Sequence, residues 1–546
     1  MSLIDKASLI QIPSGYKSTK LYSIEPTNGT GDFTFARSSS ATRVNSEGLI
    51  ETAQILGSEE VVNGDFATDS DWSKGIGWTI NGGFAVGNLI TNNYAGLQQS
   101  PTLSVGATYR YQFTISSYTS GIVRFAIGET VDEFYFSGNG VYSGNIKYSA
   151  PHSSGSTISI FAWGNFVGSI DNVSVKEVFE NDVPRLDYSD GSCASLLLEP
   201  QRTNELIYSN SFDNVAWGKN SGGINTSIGT NGIEPNVAIS PDGTSNASRV
   251  NFITQSDLDL GLGQTISSSS GNTHLFSVYV KGEGSNIGKQ INIRVKRSSG
   301  GAYIGFDNSI TLTSEWQRVK LNPLTLITDN NGARIIVSSN DATNCLIAFS
   351  QGEQGDYPTS YIPTTSASTT RSADVCNNAG TSATFNDSEG VLFAEIAANA
   401  LTSTLEMLSL SDGTYNNVVL FRYYDTSSND IQVQVKVAGS AQASMLFTLT
   451  DATSFNKIAL KYKANDFALW VNGIEVATDT SGNTFSANTL NRLSFDRGDG
   501  GNDFYGKTKQ LMVFDEALSD EELSDLTGQA NLSFNNLATF YGYTIL

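Results

Sequence analysis

Residues 108–115 read TYRYQFTI. Tyr109, Tyr111, Phe113 and Ile115 alternate there with Thr108, Arg110, Gln112 and Thr114. Successive side chains of an extended chain point to opposite faces, so this period of two predicts a half-buried strand with its aromatics inward. The pattern recurs. In HLFSVYVK, residues 274–281, His274, Phe276, Val278 and Val280 share one face, and Ile291, Ile293 and Val295 repeat the arrangement. In KIALKYK, residues 457–463, Ile458, Leu460 and Tyr462 oppose the lysines and Ala459. FALWVNGIEVATDT, residues 467–480, predicts a hairpin about Asn472–Gly473, a pair suited to the type I′ turn. The chain therefore reads as all-β, a string of β-sandwiches.

Composition agrees. At 546 residues the chain is too long for one core and suggests three or four domains of ~100–200 residues each. Hydrophobic residues make up 39% and charged residues 16%, enough apolar content for cores, and the 52 glycines suit many tight turns. The net charge of −22 repels phosphate backbones and anionic lipids, which argues against a nucleic-acid partner. The N-terminal MSLIDKASLIQIPSGYK lacks the apolar core of a secretory signal, and no run approaches a ~20-residue span, so membrane insertion is not expected. Cys193, Cys345 and Cys376 are odd in number and far apart, which fits assembly in a reducing cytoplasm without a disulfide framework.

Two flanking motifs, FTFARSSSATRVNSEGLIE at 33–51 and VPRLDYSDGSCASLLLEPQRTN at 183–204, resemble the two halves of a segment common in phage structural proteins. The stretch between them opens at VVNGDF, residues 61–66, closes at GSIDNVSVKEV, residues 168–178, and is expected as a domain inserted in a surface loop. Its start, its Trp72/Trp78 region, its TLSVGATYRYQFTI strand and its finish resemble jelly-roll carbohydrate-binding modules of xylanases and cellulases. Strands are expected at 157–161 and 168–175. A second unit echoes this opening in YSNSFDNVAWGK, residues 208–219, and ends in a SYIPT tail that resembles the phage form of the module. The ending NRLSFDRGDGGNDFYGKTKQLMVFDEALSDEELSDL, residues 491–526, resembles that of a laminin-G or concanavalin A-like sandwich, with Ser519 and Glu522 as a helix capping box. The expected order is an N-terminal attachment domain (1–56 with 179–204), an inserted jelly roll (57–178), a second jelly roll (205–376), a laminin-G-like sandwich (377–528) and an unassigned tail (529–546).

The chemistry that can be read is thin. Gly501-Asn-Asp-Phe-Tyr-Gly506-Lys507-Thr508 matches a phosphate-binding loop by letter, but QLMVF after it reads as a strand where that loop requires a helix. Arg497-Gly498-Asp499 is a common chance tripeptide, and Asp496, Asp499 and Asp503 suit a solvated loop better than a cation site. His152 and His274 are the only histidines, and no nucleophile elbow or zinc-protease motif occurs. No enzyme activity is expected, although carboxylates that meet only in space escape this test. The module resemblance implies a structural Ca²⁺ held by Asn63, Asp65 and Asp171; turn capping is the competing role for Asp171. No other cofactor is expected. Sugar stacking would use Trp78, Tyr94 and Trp163, against which stands the tendency of Trp to lie in a core. Trp217, Trp316 and Trp470 read as structural.

Together the resemblances imply a virion protein, a fibre, tail or head appendage assembled in the host cytoplasm. It would contact other virion proteins through its N-terminal segment and host-surface glycans through its modules. A homo-oligomer, with a trimer favoured, is implied. Two alternatives stand beside this: purely architectural decoration, and a glycan depolymerase.

Overall fold

The computed structural model describes residues 3–91, 96–128, 130–131, 135–149, 157–266, 272–297, 308–321, 323–325, 333–401, 404–423 and 428–528. The described chain is built almost wholly of β-strands in layered sheets, as the alternation predicts. No described helix is long and apolar enough to cross a membrane. Gln54–Glu180 forms one compact unit, and the chain on either side of it forms another.

In the smaller unit, strands Thr108–Ile127 and Ile158–Phe179 run antiparallel along most of their lengths. Tyr109, Tyr111, Phe113 and Ile115 are buried, and Tyr111 stacks on Phe125 with ring centroids 4.1 Å apart. The two strands expected at 157–161 and 168–175 are one. Gly164 and Asn165 take positive φ within it, and the pairing shifts register between Ser116 and Ile122. A bulge thus absorbs what the sequence presents as a break. Phe179 pairs with Ile55, so the unit begins and ends on neighbouring strands, the geometry an inserted domain requires.

In the larger unit, the strands from Gly218–Lys219 to Asn344–Gln354 form a second sandwich. One sheet orders Gly218–Lys219, Leu262–Ile266, Ala333–Ser338, Gln290–Arg297 and Asn308–Thr311. The other orders Ile233–Ala238, Ala247–Asn251, Asn344–Gln354, Thr273–Lys281 and Gln317–Lys320. Trp217, Phe276, Val278, Val280, Ile291 and Ile293 fill the space between them. Trp316 is only half-buried, with Nε1 donating to the Ile239 carbonyl at 3.1 Å.

The last sandwich sets a sheet containing Gly506–Phe514, Glu389–Ala398, Asn456–Lys463, Phe467–Val471 and Ile474–Asp479 against a five-stranded sheet from Ser440–Thr448 to Arg492–Ser494. Leu392, Ala394 and Ile396 face the inner core with Leu408, Leu410 and Phe421. Val391 and Phe393 face the other way, beneath Ile10, Ile12 and the helix Asp520–Thr527. That is why this strand is apolar on both faces. Asn472 and Gly473 adopt positive φ in the hairpin turn, and the Ser519–Glu522 capping box is formed.

The N-terminal segment departs from expectation: it is not a domain of its own. Ala7–Gln11 pairs with Gly506–Phe514, as does Ser195–Leu197, and Phe33–Ala36 pairs with Val375–Asn377. Leu9, Leu21, Phe33, Phe35, Leu186 and Leu196 lie in the same core as the last sandwich. So short a segment buries too little apolar surface to stand alone, and it adds strands to a neighbour instead.

Where these pieces meet lies a buried ionic knot. Arg185 reaches Glu199 at 2.5 Å and also bonds Asp374. Arg37 bonds Asp374 at 2.9 Å, and Arg371 bonds Glu199 at 2.7 Å. Ser360 donates to Glu199 from its backbone N–H at 2.8 Å and from its hydroxyl at 2.7 Å. Burial alone would raise Glu199, but the guanidinium groups of Arg371 and Arg185 outweigh it and hold the carboxyl well below the usual range. With its folded pKa depressed below the ordinary 4.5, Glu199 contributes stability that is present above that value and lost as pH falls through the folded pKa. Glu199→Gln is expected to cost the larger unit about 3–5 kcal/mol at neutral pH, because it strands buried guanidinium charge. It should also flatten the acid limb below about pH 4.5 in chemical denaturation. Wild-type stability and an unchanged acid limb would contradict this role.

Candidate functional site

On the smaller unit the alternation that buries Val123, Phe125, Ile160 and Ala162 turns Ile122, Arg124, Phe161 and Trp163 to the opposite face. Ladder register sets Ile122 beside Trp163, and Arg124 beside Phe161, with Gly96 next in the row. A β-carbon at Gly96 would sit 3.1 Å from the Phe161 ring, so the glycine leaves that ring room. Tyr135, 56% exposed, meets Trp163 edge to face at 5.7 Å. The Arg124 guanidinium lies 4.9 Å from the Tyr135 ring centroid. In the next row Gln98 donates to the Ser159 hydroxyl at 3.1 Å. The result is a sheet face carrying partly exposed aromatic rings with a guanidinium and a carboxamide among them. Such a surface can stack on the apolar face of a sugar and bond its hydroxyls.

Of the three residues expected to stack on sugar, only Trp163 stands in this row. Trp78 is a correction: it is buried in the core, 5.7 Å from Phe166, because its strand Trp78–Asn81 turns Trp78 and Ile80 inward. Tyr94 lies outside the described residues. Arg124, Tyr135 and Phe161 complete the row beyond the residues the sequence points to. Extending the alternation through 122–126 and 158–163 would have found Arg124 and Phe161; Tyr135 sits in irregular chain with no periodic signal.

The side chains expected to hold Ca²⁺ make hydrogen bonds within their own loops. The Asn63 carboxamide is spent on its own loop, accepting from Thr68 N–H at 3.2 Å and donating to the carbonyls of Thr68 and Ser70. Asp65 accepts from Ala67 N–H, and Asp171 from the backbone and side chain of Asn172. A Ca²⁺ ion needs six to eight oxygens, and each of these side chains also serves a turn. Among the described residues no group of three or more His, Cys, Asp or Glu could hold a metal. The ends of the unit are tied by protein groups. Glu59 accepts from Val61 N–H at 3.3 Å, Val175 N–H at 2.7 Å and the Ser174 hydroxyl at 2.6 Å. Gly64 accepts from Val173 N–H at 2.9 Å.

The other motifs are absorbed by structure. Lys507 stands on a strand and bonds Asp187 and Asp190, with Thr508 buried, so the phosphate-loop match has no cradle. Arg497 and Asp499 pair with each other at 2.7 Å, and Arg497 lies over Tyr415, which leaves the tripeptide closed on itself. His274 is buried in its sheet, and His152 lies outside the described residues. All three cysteines are free. One acidic pocket does form, about 310 Å³, lined by Glu406, Asp503 and Asp356 with Arg202, Tyr357 and Tyr505. Burial pushes Asp503 above the ordinary carboxylate value, against the hydrogen bond that Tyr505 donates to it at 3.2 Å.

Residues 395–524 match the concanavalin A-like lectin/glucanases superfamily. This lectin-like stretch lies within the last sandwich. No curated protein matches the chain. Solved structures similar to parts of it include the CBM40 of the Ruminococcus gnavus IT-sialidase bound to α2,3-sialyllactose, at 18% identity and TM-score 0.24, covering 28% of this chain and 94% of that one. The CBM22-1–CBM22-2 tandem domain of Paenibacillus barcinonensis Xyn10C shows 11% identity and TM-score 0.21, covering 55% and 98%. The heptameric SAP-like pentraxin of Limulus polyphemus shows 15% identity and TM-score 0.23, covering 28% and 74%.

Glu59→Ala is expected to destabilise the smaller unit by about 1–3 kcal/mol through unpaired strand-end donors. Chelation with EDTA should leave its melting temperature unmoved. A fall in melting temperature on chelation, restored by Ca²⁺, would return the staple to an ion.

Proposed function

We propose that this chain is a non-enzymatic structural protein of a phage particle, an appendage that displays lectin-like modules to glycans on the host surface. The observation that carries the binding half is the partly exposed row Ile122–Trp163, Arg124–Phe161 and Tyr135 on the inserted sheet. Apolar rings at a surface cost solvation unless something covers them, and a pyranose presents the matching C–H face. The virion half rests on the resemblance of ATRVNSEGLIE, PRLDY, LLLEPQRTN and SYIPT to phage segments. Those same motifs supply Thr42, Arg185, Glu199 and Ser360 to the ionic knot, which gives their joint occurrence a physical reason. Attachment to other virion proteins through the N-terminal region and assembly as a homo-oligomer, with a trimer favoured, complete the reading.

A depolymerase is the second reading, favoured by the acidic pocket around Glu406 and Asp503. Glycoside cleavage needs two carboxyls, one kept protonated, and the raised Asp503 meets that requirement in kind.

Isothermal titration of the full chain with host polysaccharide separates the readings. Binding is expected, weakened about tenfold or more by Trp163→Ala (about 1.4 kcal/mol), with no release of reducing ends. Steady release abolished by Asp503→Asn would replace adhesion with catalysis. Absence of binding by the wild type would leave an architectural part.

A further inference from the structure

A second depression, about 800 Å³, opens on the other unit, in the second jelly roll. Its floor is where Leu262–Ile266 meets Gly218–Lys219 and Ala333–Ser338. Arg334 crosses that floor. A β-carbon at Gly263 would stand 3.0 Å from its Nε, and one at Gly218 would stand 3.2 Å from a terminal nitrogen. The two glycines therefore let the guanidinium lie flat against the sheet. Among the described residues it makes no hydrogen bond or ion pair, which is unusual in a chain with 54 acidic against 32 basic side chains. Glu205 lines the same depression but is not within ion-pair distance of Arg334; its nearest charged-type neighbour is His274, 3.5 Å away. Burial lifts Glu205 to about 7 and lowers His274, so near neutrality this wall repels an anion far less than an ordinary carboxylate would.

A flat, unspent fork of N–H donors recognises a carboxylate in two-point fashion. The rim adds the hydroxyls of Thr203, Thr265 and Ser368 and the apolar side chain of Val215, which is 95% exposed. Hydroxyl partners beside an apolar contact favour a sugar over an acidic peptide. We propose that the Arg334 depression binds a carboxylate-bearing sugar unit of an acidic polysaccharide. This site is separate from the Trp163 row and stands or falls without it.

The test is calorimetric titration of the full chain with hexagalacturonate, alginate and hyaluronan hexamers and oligosialic acid, with cellohexaose and hexaglutamate as controls. At least one acidic oligosaccharide is expected to bind, and neither control. Arg334→Gln should weaken that binding tenfold or more. Thr265→Glu should do the same, because residue 265 is the cross-strand partner of Arg334 and a carboxylate there would occupy the guanidinium. Both variants should keep the wild-type melting temperature, and Trp163→Ala should keep the affinity. The proposal is overturned if no acidic oligosaccharide binds, if both variants bind as the wild type does, or if hexaglutamate binds as tightly as the sugars.

Discussion

The contact of Arg185 with Glu199 and Asp374 is the constraint on which the larger unit depends. Its members come from residues 37, 185, 199, 360, 371 and 374, so both flanks of the insertion and the tail of the second sandwich meet at one point. An apolar contact could supply similar cohesion, but it would not fix direction. A guanidinium fork donates to its carboxylate in few geometries, and each carboxylate here also accepts from a backbone N–H, that of Ser360 or of Glu199 itself. The knot therefore sets register as well as adhesion. Its cost is desolvation, and it is tolerable only because nearly every charge has a partner.

That arrangement bears on how the chain tolerates a whole domain in its middle. Asp182 bonds the backbone of Arg37 in both directions, and Ala53 donates to Ala41, just outside the insertion. The flanks are thus pinned before and after the inserted unit. The unit closes its own ends through Glu59 and the pairing of Ile55 with Phe179. Two cores, each closed by its own polar clasp, can vary their outward faces without losing the fold. The Trp163 row and the Arg334 depression both lie on such outward faces.

Much of this fold is legible in the sequence because a half-buried strand writes its environment in alternate letters. Tyr109 to Ile115, the strand at 274–281 and the Asn472–Gly473 turn are of that kind. Where both faces are covered, as at Val391–Phe393, the alternation vanishes and only the presence of a strand can be read. The knot was illegible for the opposite reason: Arg37, Arg185, Glu199 and Arg371 look like surface residues until the chain is folded around them. That the N-terminal strands join the last sandwich is not legible in the sequence, because pairing with residues some 500 positions away leaves no local mark. Trp78 failed as a sugar contact because residue type alone does not say which face of a strand it takes, whereas Trp163 and Arg124 could have been placed by phase.

On this structure the flanks, the second sandwich and the lectin-like sandwich form one cooperative body and the inserted jelly roll another. Differential scanning calorimetry of the whole chain, and of a chain with residues 54–180 replaced by a short glycine–serine linker, tests this most directly. Two transitions are expected in the first and one in the second, at the temperature it had before. A third transition in the intact chain, or collapse of the remaining one when the insert is removed, would show that the chain does not divide in this way.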